Sequence, residues 1–173
     1  MRASAAAGRW RLVAIQGLHR FYQRRENQVV ASWMTRQDRE LAIADNLAYV
    51  ANVMREVDRE WPGAPRVVLA GFSQGVAMAY RVAAAALRPV HGVIAVGGDI
   101  PPELDAAALA AVRTALVCRG ERDEWYTTAK FDDDVGRLRE AGATVRPLAF
   151  EGGHEWSDAV NRAVSLFLDE PPP

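Results

Sequence analysis

The chain has 173 residues, half of them apolar, and a formal net charge of −1 at pH 7. These values fit one globular domain with a sizeable core, and they exclude a general electrostatic attraction to nucleic acid or anionic membranes. No apolar stretch approaches the roughly 18 residues of a membrane span, and the first residues do not read as a secretory signal. The single cysteine, Cys118, excludes an internal disulfide framework. We therefore expect a cytoplasmic protein with no integral membrane segment and no nucleic-acid partner.

Apolar runs of strand length alternate with helical patterns along the chain. The predicted strands are 11–16, 66–71, 91–98, 114–120 and 144–150. The predicted helices are 38–59, 74–88, 105–111, 126–141 and 157–168. Residues 17–36 are expected to form a loop, and the acidic run 132–134 is expected to lie on a solvated helix face.

Alternation of strands and helices predicts the α/β class, with a mostly parallel sheet covered by helices on both faces. The strands are apolar throughout, as expected when both faces of a sheet are buried. We find no repeat and no linker, so residues 1–173 are expected to form a single domain. In such sheets the ligand site lies at the carboxyl ends of the strands.

Ser73 lies at one of these strand ends, in the stretch Gly-Phe-Ser-Gln-Gly. The glycines at 71 and 75 leave room for a sharp turn from strand to helix, which would expose the hydroxyl above the sheet. The backbone N–H of Gln74 would then stand at a helix N-terminus as an oxyanion donor. A serine that merely caps a helix at a tight turn is the alternative explanation of this motif.

A serine hydroxyl needs a base to take its proton, and the base needs a carboxylate to orient it. His154 follows the last predicted strand and Asp123 follows the strand before it. The chain order serine, aspartate, histidine is the order expected for a triad built on this kind of sheet. The sequence therefore predicts Ser73 as nucleophile, His154 as general base and Asp123 as the carboxylate.

Each role has alternatives in the sequence. Glu121 or Glu124 would be the partner of the histidine if Asp123 were a helix cap. His91 stands at the amino end of its strand and His19 lies in a loop, so both are weaker candidates for the base. Cys118 lies inside a strand and is expected to be a small buried apolar residue rather than a nucleophile.

Three segments, Gly-Phe-Ser-Gln-Gly (71–75), Gly-Glu-Arg-Asp-Glu-Trp-Tyr (120–126) and Gly-Gly-His-Glu-Trp (152–156), resemble the catalytic blocks of the α/β-hydrolase superfamily. The resemblance is to its phospholipase/carboxylesterase branch, which is similar to the acyl-protein thioesterases. Residues 30–35 and 97–104 also resemble loops of that branch. The resemblance implies a serine hydrolase for carboxylic esters or thioesters that uses neither a metal nor an organic cofactor.

One feature of that family is missing from the chain as numbered. The family begins with additional strands and a His-Gly loop that supplies a second oxyanion N–H, and nothing before residues 9–17 matches them. We therefore expect the C-terminal part of the family domain, either truncated at its N-terminus or numbered from a misassigned start. Loss of one oxyanion donor typically costs about 10²–10³ in rate.

Several aromatic residues fall in the loops expected around Ser73. Trp33, Trp125 and Trp156, with Tyr126, suggest a pocket for an acyl chain or an aromatic leaving group. Capping of the core edges by these aromatic residues is an equally good explanation.

Two other classes of protein remain open on sequence grounds. The first is a non-catalytic hydrolase-fold protein that binds a ligand or partner. The second is a doubly wound domain that binds phosphate at the Gly71–Gly75 turn, which is disfavoured because no basic residue adjoins the turn.

Overall fold

A computed structural model of the protein describes residues 10–23, 27–63 and 66–170. These residues fall into two units, one within Val13–Pro65 and the other within Met1–Leu12 and Arg66–Pro173. Across the described ranges, no helix combines the length and the apolar character needed to cross a bilayer.

The smaller unit contains a β-hairpin and one long helix. Strands β1 (His19–Gln23) and β2 (Gln28–Ser32) pair in antiparallel register, from His19 opposite Ser32 to Gln23 opposite Gln28. Both strands carry the aromatic and β-branched residues that favour extended backbone. Helix α1 (Arg39–Glu60) follows and confirms the predicted helix 38–59, with Ala42, Asn46 and Val50 buried at a spacing of four residues.

The prediction of a strand at 11–16 is wrong, and so is that of a loop throughout 17–36. Residues 11–16 belong to no strand, and the side chains of Leu12 and Val13 are exposed. A strand needs a neighbour to satisfy its backbone N–H and C=O groups. No described strand pairs with 11–16, whereas His19–Gln23 and Gln28–Ser32 satisfy each other.

The larger unit is built on a four-stranded sheet in the order β3-β4-β5-β6, with all pairs parallel. Its strands are β3 (Val68–Phe72), β4 (Gly92–Val96), β5 (Thr114–Gly120) and β6 (Thr144–Phe150). Its helices are α2 (Gln74–Ala84), α3 (Ala106–Leu109), α4 (Thr128–Glu140) and α5 (Asp158–Asp169). The four strands and four helices predicted for this part of the chain are confirmed, most with ends shifted by a few residues.

Successive residues of the central strands point to opposite faces of the sheet, and each face has its own apolar cluster. Val93 and Ala95 of β4 pack in the cluster that contains residues of α2, α3 and α4. Ile94 and Val96 pack in the second cluster, which contains residues of α5. Helices therefore cover both faces, which explains why the central strand β4 is apolar and buried at every position.

The parallel register brings the carboxyl ends of all four strands to one edge. Phe72 lies opposite Val96, Val96 opposite Cys118, and Gly120 opposite Phe150. The residues that immediately follow β3, β4, β5 and β6 therefore surround a common region above the sheet.

Candidate active site

Ser73 forms the turn between β3 and α2 in a backbone conformation that L-residues rarely adopt. Its φ is 52° and its ψ is −121°. The backbone N–H of Ser73 donates to the carbonyl of Val96 at 2.9 Å, and its own carbonyl accepts from Val76 N–H at 3.0 Å. A Cβ at Gly71 would collide with the backbone of Gly75, so the turn requires the absence of a side chain there. These features match the strained strand-to-helix turn expected from the sequence.

His154, from the loop after β6, contacts both other candidate residues. Its Nε2 lies 2.9 Å from Ser73 Oγ, and its Nδ1 lies 2.8 Å from Asp123 Oδ2. The end of β5 lies very close to the His154 loop, so close that a Cβ at Gly120 would collide with the carbonyl of Gly153. The sequence-predicted Ser73, Asp123 and His154 are thus brought together at the carboxyl edge of the sheet.

The carboxylate of Asp123 is buried and held by backbone donors. Its Oδ1 accepts hydrogen bonds from the N–H groups of Trp125 and Tyr126, both at 2.9 Å. Glu121 and Glu124, the alternatives in the sequence, are exposed. The carboxylate beside His154 is therefore that of Asp123.

Burial and hydrogen bonding act in opposite directions on the pKa of Asp123. Burial is the largest single influence and raises the pKa of this carboxyl. The hydrogen bonds from Tyr126 N–H, from the His154 ring and from Trp125 N–H together outweigh burial, so the pKa lies below its ordinary value. Asp123 is consequently ionised at neutral pH and accepts from His154 Nδ1–H. That assignment leaves the lone pair of Nε2 to accept from the hydroxyl of Ser73.

Two neighbours restrict the position of the His154 ring. The ring of Phe72 lies with its centroid 5.0 Å from that of His154, at an interplanar angle of 36°. On another side, a Cβ at Gly97 would lie 3.2 Å from His154 Cε1 and 3.4 Å from Asp123 Oδ2. Gly97 has a φ of 62°, so it supplies both the close approach and the left-handed backbone.

The remaining predicted site residues have different surroundings. Gln74 is the first residue of α2, so its N–H belongs to the turn that begins the helix.

The three tryptophans predicted to line a pocket lie in different environments. Trp125 has an exposed indole, with 77% of its surface accessible. Trp156 is half-buried against the α5 side of the core and donates from Nε1 to Asn161 at 2.9 Å. Trp33 belongs to the smaller unit, where its carbonyl accepts from Asn46. Their roles in substrate binding stay predictions.

Tyr126 and Asp134 differ from their predicted environments. Tyr126, expected as a pocket aromatic, is buried, and its hydroxyl donates to Asp134 Oδ2 at 2.9 Å. Asp134, expected on a solvated face, is only 3% exposed, whereas Asp132 and Asp133 are exposed. Burial raises the pKa of Asp134 to about 6, against the effect of its hydrogen bonds. The sequence did hold a signal: residue 134 shares a helix face with the buried Phe131 and Leu138.

The other candidate nucleophile and bases are engaged elsewhere. Burial raises the pKa of the Cys118 thiol to about 12, which confirms the expectation of an inert buried side chain. His91 accepts from Val67 N–H at the amino end of the sheet, and burial is the main cause of its lowered pKa. His19 Nε2 lies 3.3 Å from the Asn46 amide in the smaller unit. Within the residues the structure describes, no cluster of His, Cys, Asp or Glu could hold a metal ion.

Comparisons with known proteins agree with this fold. A family model described as Phospholipase/Carboxylesterase matches residues 29–165. No curated protein sequence matches the chain. Three similar solved structures are SOBER1 from Arabidopsis thaliana, acyl-protein thioesterase 2 from Zea mays and a phospholipase/carboxylesterase from Dyadobacter fermentans.

These structural similarities carry low sequence identity. The identities are 18%, 17% and 22%, and the TM-scores are 0.67, 0.63 and 0.62, in the same order. The alignments cover 82%, 82% and 80% of this chain, and 74%, 73% and 69% of the other chains. At this level of identity the similarity establishes the α/β-hydrolase-like fold.

Proposed function

The chain belongs to the phospholipase/carboxylesterase family, and from this premise we propose that it is a serine hydrolase that cleaves carboxylic esters or thioesters. The observation that carries the proposal is the continuous hydrogen-bonded series from Asp123 through His154 to Ser73. The series combines a nucleophile, a base and an orienting carboxylate in the geometry that acyl transfer requires.

In the first half of the proposed reaction, His154 Nε2 takes the proton of Ser73 while Oγ forms a bond to the substrate carbonyl carbon. The carbonyl oxygen becomes an oxyanion, which the backbone N–H of Gln74 and the positive end of α2 stabilise. The tetrahedral intermediate then breaks its bond to the alcohol or thiol, which leaves with the proton from His154. Ser73 remains acylated.

In the second half, water replaces the leaving group. His154 takes a proton from the water molecule as its oxygen attacks the acyl carbon, and it then returns a proton to Ser73 Oγ as the carboxylic acid departs. Asp123 remains ionised throughout and stabilises the imidazolium formed at each stage. All steps use side chains, backbone and water, with no cofactor.

Trp125 is the proposed contact for the variable part of the substrate. Its backbone N–H donates to Asp123 Oδ1, and its indole is exposed on the same loop as that carboxylate. An exposed aromatic side chain two residues from Asp123 offers a large apolar area to a substrate. Substitution Trp125→Ala is expected to raise KM more than it lowers kcat. Trp33 and Trp156 stay as predicted substrate contacts.

A fluorophosphonate probe tests the proposed function, because it phosphonylates only a serine that a base has activated. Wild-type protein should be labelled, while Ser73→Ala and His154→Ala should both abolish labelling, since members of such a series act as a unit. Ser165→Ala is the matched control, because Ser165 lies half-buried on α5 and its hydroxyl donates to the carbonyl of Asn161 in the same helix. Labelling that persists in folded Ser73→Ala would refute the proposal. A folded wild-type protein that resists labelling would favour a binding protein.

A further inference from the structure

Asp134 occupies a position between two loops rather than at the surface of α4. Its Oδ2 accepts from the hydroxyl of Tyr126 at 2.9 Å and from the backbone N–H of Ile100 at 3.1 Å. Its Oδ1 lies 3.6 Å from Arg137, one turn further along the same helix. A single carboxylate on α4 therefore bonds to the loop after β5 and to the loop after β4.

The bond to Tyr126 leads directly to Asp123. Tyr126 is fully buried, and its ring packs edge-on against Phe131 with centroids 6.2 Å apart. The backbone N–H of the same residue donates to Asp123 Oδ1. The residue whose side chain is fixed by Asp134 thus holds, through its main chain, the carboxylate that contacts His154.

The bond to Ile100 restrains the other side of the same pair. Ile100 lies three residues after Gly97 in the same loop. The backbone of Gly97 approaches both the His154 ring and Asp123 Oδ2. Helix α4 contacts this loop at further points. Arg137 donates to the carbonyl of Leu104 at 2.7 Å, and Lys130 lies 3.0 Å from the carboxylate of Asp99.

A buried carboxylate is costly, and an apolar residue of similar volume would serve the core better if stability were its only purpose. Resting on the proposed hydrolase function, we propose that Asp134 is a positioning residue for the Asp123–His154 pair. Its Oδ2 accepts one hydrogen bond from each of the two loops that enclose the pair, and Tyr126 carries this restraint to Asp123. The positioning role requires an oxygen at residue 134 of α4 that accepts hydrogen bonds from both Tyr126 and Ile100.

Substitutions at Asp134 and Tyr126 can distinguish the ability to accept hydrogen bonds from the charge and the volume of the side chain. Asp134→Asn keeps an oxygen that can accept from both loops, whereas Asp134→Ala removes it. Tyr126→Phe removes only the donor on the route to Asp123 and retains the packed ring. Asp133→Ala is the matched control, because Asp133 is the adjacent aspartate on α4 and is exposed.

Two readouts on folded protein distinguish positioning from simple stability. The first is hydrolysis of a short-chain nitrophenyl ester, with kcat and KM determined separately and corrected for the folded fraction. The second is the far-downfield proton resonance of His154 Nδ1–H, which reports the hydrogen bond to Asp123 in the absence of substrate. A residue that only stabilises the fold changes neither quantity in the folded fraction.

We expect Asp134→Ala and Tyr126→Phe to lower kcat on the order of tenfold with KM nearly unchanged, because a small displacement of a catalytic group is costly. Both should shift or broaden the His154 resonance, while Asp134→Asn and Asp133→Ala should resemble wild type. If Asp134→Ala does not fold, Tyr126→Phe decides. Wild-type kcat and an unchanged resonance in folded Tyr126→Phe would overturn the proposal, as would equal impairment of Asp134→Asn and Asp134→Ala.

Failure of the proposed hydrolase function would be seen separately. In that event wild-type protein neither hydrolyses the ester nor reacts with the fluorophosphonate. The resonance of His154 still reports whether Asp134 and Tyr126 fix the Asp123–His154 hydrogen bond. An unchanged resonance in both variants would then overturn the positioning role as well.

Discussion

Ser73 combines local strain with a fixed environment. A residue held in so sparsely populated a backbone region costs of order 1–3 kcal/mol, and persists only where its surroundings determine it. Here the Val96 carbonyl and the Val76 N–H hold the two polar backbone groups of Ser73. The strained backbone belongs to the residue whose hydroxyl contacts His154. The loss of stability from strain is therefore located at the residue proposed as the nucleophile.

The two oxygens of Asp123 have different partners, and this difference makes Asp123→Asn an informative change. Oδ1 accepts from two backbone N–H groups, so the amide oxygen of the variant must take that place. The amide NH₂ then faces His154 Nδ1 and donates to it, which forces the proton onto Nε2. A ring protonated at Nε2 cannot accept from Ser73, and kcat should fall by about 10⁴.

Steady-state hydrolysis of a nitrophenyl ester measures this loss, with Glu124→Gln as the control. Glu124 is adjacent and exposed, so its neutralisation should leave kcat unchanged. An Asp123→Asn variant that is folded and retains most of the wild-type kcat would show that the tautomer of His154 is set by another group.

Asp134 should make stability depend on pH in a way opposite to an ordinary ion-paired aspartate. The pKa of Asp134 is raised to about 6, mainly by burial and further by the charge of Asp99. Hydrogen bonds from Tyr126 and Ile100 and the charge of Arg137 lower the pKa, but they do not outweigh burial. Tyr80, the other buried titratable group facing this carboxylate, has a raised pKa of its own because of burial. The folded state therefore disfavours ionised Asp134, and this cost is present above pH 6 and disappears as the pH falls towards 4.

Replacement of Asp134 by Asn removes that cost. The free energy of unfolding of Asp134→Asn minus that of wild type should be larger at pH 8 than at pH 5 by about 1–2 kcal/mol, so the variant gains relative stability as the pH rises. Urea unfolding at the two pH values measures the difference. Asp133→Asn should show no such dependence, because Asp133 is exposed. A relative stability independent of pH would mean that Asp134 is ionised at little cost.

At the scale of elements, the turn from β3 to α2 depends on close backbone packing against the loop after β4. A Cβ at Gly98 would collide with the Ser73 carbonyl and lie 2.8 Å from Val76 Cβ. Gly98→Ala must therefore displace Ser73 or the first turn of α2. A displacement near 1 Å typically costs about 10² in rate, so we expect a loss of that order in kcat.

Gly136→Ala provides the matched control for this change. Gly136 lies within α4, and a Cβ there would meet nothing within 4 Å. Alanine in a helix interior is more stable than glycine by roughly 0.5–1 kcal/mol, so the control should be slightly stabilised and fully active. Thermal unfolding and ester hydrolysis together separate the two variants. Full activity in Gly98→Ala would show that the turn tolerates rearrangement.

At the scale of the whole molecule, sequence predicted the elements whose apolar pattern is bounded by turns. The strands Thr114–Gly120 and Thr144–Phe150 were predicted to the residue, because each is a short apolar run between polar loops. The hairpin of β1 and β2 was missed, because its residues are mostly exposed and lack the alternation that marks a half-buried strand.

The convergence of the site residues was predictable because parallel strands end at one edge of a sheet. Ser73, Asp123 and His154 each follow a strand, so their proximity required only the topology. The burial of Asp134 was not predicted, because the charge of a three-aspartate run outweighed its helical spacing. Tyr126 was misassigned for the related reason that the partner of its hydroxyl lies on another element.

The core at the amino end of the strands is expected to be independent of the site at their carboxyl end. Phe167 of α5 is buried in the second cluster, and its ring lies against Gly92 at the amino end of β4, whereas Ser73 follows the carboxyl end of β3. Phe167→Ala should lower the free energy of unfolding by about 3–5 kcal/mol, since it leaves a cavity in a packed core. The neighbouring Leu166 is 66% exposed. Leu166→Ala should therefore change the free energy of unfolding by no more than about 0.5 kcal/mol.

Urea unfolding measures the stability of both variants, and fluorophosphonate labelling below their transitions reports the site. Because Phe167 lies at the opposite end of the strands from Ser73, the folded fraction of Phe167→Ala should be labelled at the wild-type rate. Slower labelling of fully folded Phe167→Ala would show that packing under α5 reaches the carboxyl edge. The geometry of Ser73 would then depend on the whole α5 face of the sheet rather than on its own turn and loops.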